Sequence, residues 1–285
     1  ESQPVHKNPQ QVARLVESLY HPNVDCWIHV DQKSNMDDFK YLAGLSNVFI
    51  INPSLRVDWG CFNTVEVMLL AMRKVSEADG NYEYFNFMSG QDYPIKPARL
   101  FYNFMAANPG IQFMNNRAYE ETRQNIIRFK QYHFNDYHFA GVRLLERLVN
   151  KILPERRFPY NHEIRKGSQW MALSRDAVIY ILDFVSGNPR YSHYFKRVHI
   201  PDEFFFQTIL YNSRFQSTIK NPNFHYIDWT ETKPHPKVLS IHDYPKLISS
   251  DLFFARKFDM NSNYLILDAL DAHIRKMESA NEVFI

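Results

Sequence analysis

The stretch VDCWIHVDQKSNMDDFKYLAGLSNVFIIN (24–52) sets the fold class. It opens on VDCWIHVD (24–31), an apolar run rich in β-branched and aromatic residues that ends on a polar cluster, as a strand does. A polar helix follows at about 35–44, and NVFIIN (47–52) is a second strand. Strand, helix and strand at such short intervals predict parallel strands joined by a crossover. The flanks continue the alternation. Asn8-Pro9 supplies an N-cap and a first-turn proline for a helix through about Tyr20. Phe62 to about Ser76 reads as a helix with Val65, Met68, Leu69 and Met72 on one side, followed by the strand YEYFNFM (82–88). The expectation is an α/β fold with a mainly parallel, Rossmann-like sheet flanked by helices. Ligands of such sheets bind beyond the carboxyl ends of the strands, where this chain places Asp31, Asn52 and the run after Met88.

With 285 residues the chain can bury a substantial core, and one large domain or two closely packed halves both fit. Hydrophobic residues at 45% and charged residues at 22% are ordinary globular usage. The aromatic share of 15% is high, and it leaves open core packing, stacking on bases and stacking on sugar rings. A net charge of +2 is too mild for a protein whose main partner is a nucleic-acid backbone. The two cysteines, Cys26 and Cys61, fit neither a zinc cluster nor a disulfide framework, so a reducing compartment is expected. No stretch approaches the roughly 18–20 apolar residues that cross a bilayer, and ESQPVHKNPQ is no signal peptide, so a soluble, cytoplasmic location is expected.

The middle of the chain changes character. Residues 117–157 hold nine Lys/Arg against five Asp/Glu. Arg143, Arg147 and Lys151 recur every four residues, opposite Val142, Leu145, Leu148, Val149 and Ile152. Such a helix reads either as a solvated face over a core or as a peripheral attachment to an anionic membrane surface, here at the inner face. A strand QWMALS (169–174), a helix from Arg175, a helix opening at Pro201 and a closing helix near 263–279 complete the chain.

Three strings put charged groups where a strand or helix ends. In SGQDYPIKP (89–97), Gly90 permits a tight turn, Pro94 and Pro97 stiffen it, and Asp92 projects a carboxylate near the sheet edge. The plainer reading is a turn and helix cap. In PDEFFFQTIL (201–210), Asp202 and Glu203 occupy an opening helical turn, which the helix dipole alone explains. A carboxylate fixed there can also take the proton from an attacking hydroxyl. In FFARKFD (253–259), Arg256 and Lys257 interrupt an aromatic run. Lys257 is either a snorkelling lysine or a cation that neutralises a departing diphosphate. No two aspartates are spaced D-x-D, the histidines form no HExxH pattern, and there is no Walker loop, GxGxxG or GxSxG, so no metal or cofactor is expected and side-chain cations must meet any phosphate.

HKNPQQV (6–12), IHVDQKS (28–34), the Trp59-Gly60 pair, SGQDYPIKP, GSQWMALSRD (167–176), PDEFFFQTIL and FFARKFD stand in one order. Together they resemble the core-2/I-branching β-1,6-N-acetylglucosaminyltransferase and peptide O-xylosyltransferase family, from about residue 5 to 275. The resemblance implies a glycosyltransferase of GT-A type in one catalytic domain over 1–285. Residues 1–115, approximately, would be its nucleotide-sugar half and 116–285 its acceptor-binding and catalytic half. It implies a UDP-sugar donor, a carbohydrate or glycan-precursor acceptor, inversion to a β-linkage (β-1,6 for GlcNAc) and no metal. Glu203 becomes the general base. Lys257 becomes the diphosphate lysine, with Arg256 beside it and Lys237 as the second basic residue. Asp31 falls near uracil or ribose, with Val5 and His6 lining the same pocket, and Trp59 and Asp92 fall near donor or acceptor sugars. GlcNAc is the expected donor sugar; the alternatives are UDP-xylose and a nucleotide-sugar-binding protein without chemistry. Animal members are implied to be Golgi-lumenal, anchored and disulfide-bonded; the two cysteines and the lack of a span give the expectation of a cytosolic-facing enzyme.

Overall fold

The structure, a computed structural model, describes residues 8–221, 224–230 and 235–282, with side chains to 279. In chain order its elements begin with α1 (Pro9–Ser18), β1 (Cys26–Ile28), a 3-10 helix (Met36–Gly44), β2 (Val48–Ile50), α2 (Asn63–Glu77), β3 (Tyr84–Asn86), β4 (Asp92–Pro94) and α3 (Ala98–Ala106). Then come β5 (Gln112–Met114), β6 (Arg117–Ala118), α4 (Arg123–Lys130), α5 (Val142–Ile152), β7 (Arg165–Lys166), β8 (Met171–Ser174), α6 (Arg175–Gly187) and α7 (Pro189–Phe195). A 3-10 turn (Pro201–Glu203) leads to α8 (Phe205–Tyr211), β9 (Ile219–Lys220), β10 (His225–Ile227), α9 (Tyr244–Ile248), β11 (Phe254–Arg256) and α10 (Tyr264–Glu282).

The chain divides into two compact units, described separately. One comprises the described residues within Gln3–Ser54, Met88–Pro109 and Phe224–Ile285. Here Asn8 caps α1 by accepting from Gln11 N at 3.0 Å, and Pro9 opens the helix, as the sequence predicts. β1 and β2 pair in parallel, Cys26 against Val48 through Ile28 against Ile50. The segment between them is a 3-10 rather than an α-helix. Phe39 and Leu42, three residues apart, are both fully buried, and three residues is the period of that tighter helix. Val12, Val16, Ile28, Val30, Phe39, Leu42 and Val48 form one core cluster. A second sheet runs β10-β11-β4, parallel at its first pair and antiparallel at its second.

The other unit comprises the described residues within Leu55–Phe87 and Gly110–Asn223. Its four-stranded sheet has the order β3-β8-β5-β9, with β8 antiparallel to both neighbours. α2 buries Val65, Met68, Met72 and Val75, while Leu69 is half-buried. Much of the aromatic excess is core. Phe129, Tyr191, Phe195, Phe204 and Phe205 are fully buried and meet one another with ring centroids 4.7–5.7 Å apart.

The mainly parallel sheet of the sequence reading is corrected to mixed sheets flanked by helices. The strand–helix alternation of the first half is real, but β4 follows β3 through a short turn, and no helix separates β7 from β8. The strands that do pair antiparallel, β4 with β11 and β8 with β3 and β5, are distant in the sequence, so no single strand–helix–strand crossover sets their direction. The helix expected to open at Pro201 is likewise one 3-10 turn that Phe204 (φ −127°, ψ −32°) interrupts before α8 begins. Among the described residues no helix is long and apolar enough to cross a membrane.

Candidate active site

Three of the sequence strings meet in the unit that holds Glu203. Ile200, in the left-handed region at φ 53°, turns the chain into Pro201-Asp202-Glu203. Its N–H donates to Gly60 O at 3.0 Å, so the Trp59-Gly60 turn is fastened just ahead of Glu203. Gly60 has φ 74°, and a Cβ there would fall 2.8 Å from His199 Cε1, so both backbone and space require glycine. Gly167 N donates to Glu203 O at 2.7 Å, and a Cβ on Gly167 would meet Asn115 O at 1.9 Å.

The Glu203 carboxylate is 30% exposed, and Arg128 Nη2 donates to its Oε2 at 2.7 Å from a guanidinium only 9% exposed. Arg128 also lies over the Phe204 ring, 5.1 Å from its centroid. Lys166 stands in the same field; burial and the Arg128 charge push its ammonium pKa down, against the opposing pull of Glu203. Asp202 turns inward, and burial, reinforced by the charge of Glu203, pushes its carboxyl up to about 7. Trp59 is 51% exposed and meets His199 edge to face at 5.3 Å. Asn135 Nδ2 donates to Gly60 O at 3.1 Å and to His199 Nδ1 at 2.9 Å. Burial and the charges of His133 and Arg128 lower His199 to about 4, which keeps its imidazole neutral near neutral pH.

Three other strings meet in the second unit. Gln11, fully buried on α1, donates through Nε2 to Gly90 O at 2.7 Å and to Phe258 O at 3.3 Å, and its Oε1 accepts from Met260 N at 2.7 Å. One side chain thereby ties HKNPQQV to SGQDYPIKP and FFARKFD. β4 and β11 bring Asp92 opposite Arg256. Asp92 is fully buried; its carboxylate accepts from Ser89 N at 2.6 Å, with Arg256 Nη1 at 3.2 Å and His225 Nε2 at 3.7 Å. Burial alone would raise its pKa, but Arg256, His225 and the Ser89 N–H outweigh burial and hold it well below the carboxylate range. Asp92 holds the turn through Ser89 N, and Arg256, also buried, is its internal counter-ion. Lys257, next along, is half-buried, and its carbonyl accepts from Leu239 N at 2.8 Å. That contact brings the 237–239 segment alongside, where Lys237 Nζ is ion-paired with Asp243 Oδ1 at 2.6 Å.

Asp31 ends the β1 side of this unit. It is fully buried; Oδ1 accepts from Lys33 N at 2.8 Å, while Oδ2 lies 3.6 Å from Lys33 Nζ and takes no hydrogen bond among the described residues. Val5 and His6 lie outside the described residues. Sequence reasoning missed Arg128, Lys166 and Gln11. The signal for Arg128 was its place three residues after Asn125 on α4, where both face inward with Phe129. No three His, Cys, Asp or Glu side chains gather to hold a metal among the described residues.

A partly exposed carboxylate clamped by a buried arginine is the equipment of a general base for an attacking hydroxyl. The chain belongs to the Core-2/I-Branching enzyme family, whose model matches residues 5–249, and its fold is GT-A-like. It is similar to Xylosyltransferase 2 of Pan troglodytes, with 26% identity over 93% of this chain and 32% of the relative. Xylosyltransferase oxt of Drosophila melanogaster is 25% identical over 92% of this chain and 32% of its own length. Xylosyltransferase sqv-6 of Caenorhabditis briggsae is 25% identical over 89% of this chain and 34% of its own. The chain therefore spans about a third of the length of the curated relatives it matches.

Proposed function

We propose that this chain transfers a sugar from a UDP-sugar to an acceptor hydroxyl by a single metal-independent displacement with inversion. The observation that carries the reading is the Glu203 carboxylate, anchored through Oε2 by Arg128 and partly exposed. In this scheme Oε1 removes the acceptor O–H proton as the oxygen forms its bond to the anomeric carbon. The bond from that carbon to the β-phosphate breaks, and UDP leaves with the electron pair. Lys257 balances the charge gathering on the diphosphate, the role a metal plays elsewhere. Asp31 supports nucleotide binding, because its buried Oδ2 can accept from a uracil N–H or a ribose hydroxyl. Trp59 offers an exposed ring face to a sugar.

The names of the relatives favour UDP-xylose as donor, whereas UDP-GlcNAc is the donor expected from the sequence resemblance. Thermal stabilisation by UDP-xylose, UDP-GlcNAc, UDP-GalNAc and UDP-glucose separates them, since a ligand that binds only the native state raises the melting point. UDP release is then assayed with the best donor, with and without EDTA. Undiminished turnover in EDTA and a β-anomeric product are the expected results. Stabilisation by a donor without UDP release, even by slow hydrolysis, would instead mark a sugar-sensing protein.

A further inference from the structure

α5 carries a face that the proposed chemistry does not use. The helix starts after Gly141, which is left-handed at φ 88°, and none of its residues is buried. It is fastened to its own unit largely by polar contacts. Asn150 Oδ1 accepts from Tyr132 N and its Nδ2 donates to Tyr132 O, both at 2.8 Å, and Glu146 Oε2 accepts from Phe134 N at 2.9 Å. With 3.6 residues per turn, Leu144, Leu145, Leu148 and Ile152 fall on one outward arc, and Arg143, Arg147 and Lys151 on the arc beside it. The apolar arc is in water rather than over a core as the sequence allowed: Leu144 is 61% and Ile152 76% exposed. Leu153 at the helix end and Phe139 just before the helix are exposed as well, at 46% and 50%. Soluble monomers seldom leave such a contiguous apolar patch uncovered.

The charges say what covers it. Arg147 and Lys151 are exposed and make no ion pair among the described residues, while Arg143 is shared with Glu146 at 3.3 Å. A row of cations flanking an apolar ridge fits an interface where hydrocarbon lies beside anionic phosphate. A second copy packed about a twofold axis would bury the leucines, but it would bring this cation row toward its own image. We propose that α5, with Phe139, docks the chain on an anionic lipid bilayer, the leucines entering the acyl boundary and Arg147 and Lys151 meeting headgroup phosphates. The inference stands independently of donor and mechanism.

The test is co-sedimentation of the full chain with phosphatidylcholine vesicles, with and without phosphatidylglycerol. Binding is expected to the mixed vesicles, and Leu148→Glu with Ile152→Glu abolishes it. Arg147→Glu with Lys151→Glu weakens partitioning by at least about tenfold, since each cation near an anionic surface is worth roughly a factor of five. Circular dichroism checks that each pair of changes leaves the fold intact; the charge-reversal pair keeps the test open if the leucine-face pair does not fold. Failure to sediment, equal binding to phosphatidylcholine alone, or binding untouched by the charge reversal overturns the proposal. A concentration-dependent dimer that Leu148→Glu with Ile152→Glu breaks, without vesicle binding, overturns it in favour of a contact between copies.

Discussion

Glu203 owes its orientation to one neighbour, because Arg128 takes Oε2 from a guanidinium that Phe204 covers on one side. Glutamine is isosteric and its Oε1 still accepts from Arg128, so Glu203→Gln separates chemistry from folding. If Glu203 is the base, turnover falls by about 10²–10⁴ while the melting point and stabilisation by UDP barely move. Near-normal turnover in that variant, followed by UDP release, would remove the assignment. Gly60 sets the place of Trp59 by a different means. A side chain there must adopt φ 74° and push into His199, so Gly60→Ala should cost about 1–3 kcal/mol of stability. Because the displaced turn carries Trp59, the acceptor KM should rise in the same variant. A melting curve and a saturation curve with acceptor read the two effects, and an unchanged KM beside a lowered melting point would take Trp59 out of acceptor binding.

At the level of elements, the chain is held where the sequence strings cross, and Gln11 is the crossing most open to a test. Its amide serves Gly90 O, Phe258 O and Met260 N, all from inside the protein. Gln11→Leu keeps the volume and leaves those groups without that partner, at a cost of about 1–3 kcal/mol for a buried polar group. The same change loosens the strand end that carries Lys257, so stabilisation by UDP should shrink along with the melting point. Retained UDP stabilisation would separate Lys257 from that tie. The tie was not legible in the sequence, since a glutamine on a helix face gives no sign that it turns inward. The start of α1, the α2 stripe and the β1–β2 pair were legible, because N-caps and apolar periodicity are local signals. The antiparallel pairing of β4 with β11 and of β8 with β3 and β5 was not, because it joins strands far apart in the sequence. The site divides the same way. Glu203 and Lys257 stood out as charges in apolar strings, whereas Arg128 lay hidden in a segment whose basic residues read as surface.

Across the whole molecule, pH acts on the two units in opposite directions. Asp202 belongs to one unit and Asp92 to the other. The Asp202 carboxyl is raised from its ordinary 3.8 to about 7, so the unfolded chain ionises first and the folded state resists ionisation. Its unit is least burdened below the unfolded value and loses stability as pH rises toward the folded value. The difference corresponds to about 4 kcal/mol for a group this deeply buried, at about 1.36 kcal/mol per pKa unit. Asp92 is depressed, so its contribution is present above 3.8 and is lost as pH falls further. With two units, a melting scan need not be two-state, and the transition that responds to each change identifies its unit. Asp202→Asn removes the ionisation while keeping the shape. It should raise one calorimetric transition clearly at about pH 8 and hardly at all at about pH 4, because the neutral side chain only mimics the folded protonated acid where the native chain is forced to ionise. An equal shift at both pH values would mean that Asp202 acts through packing or hydrogen bonding, and that the charge of Glu203 beside it is not what the fold resists.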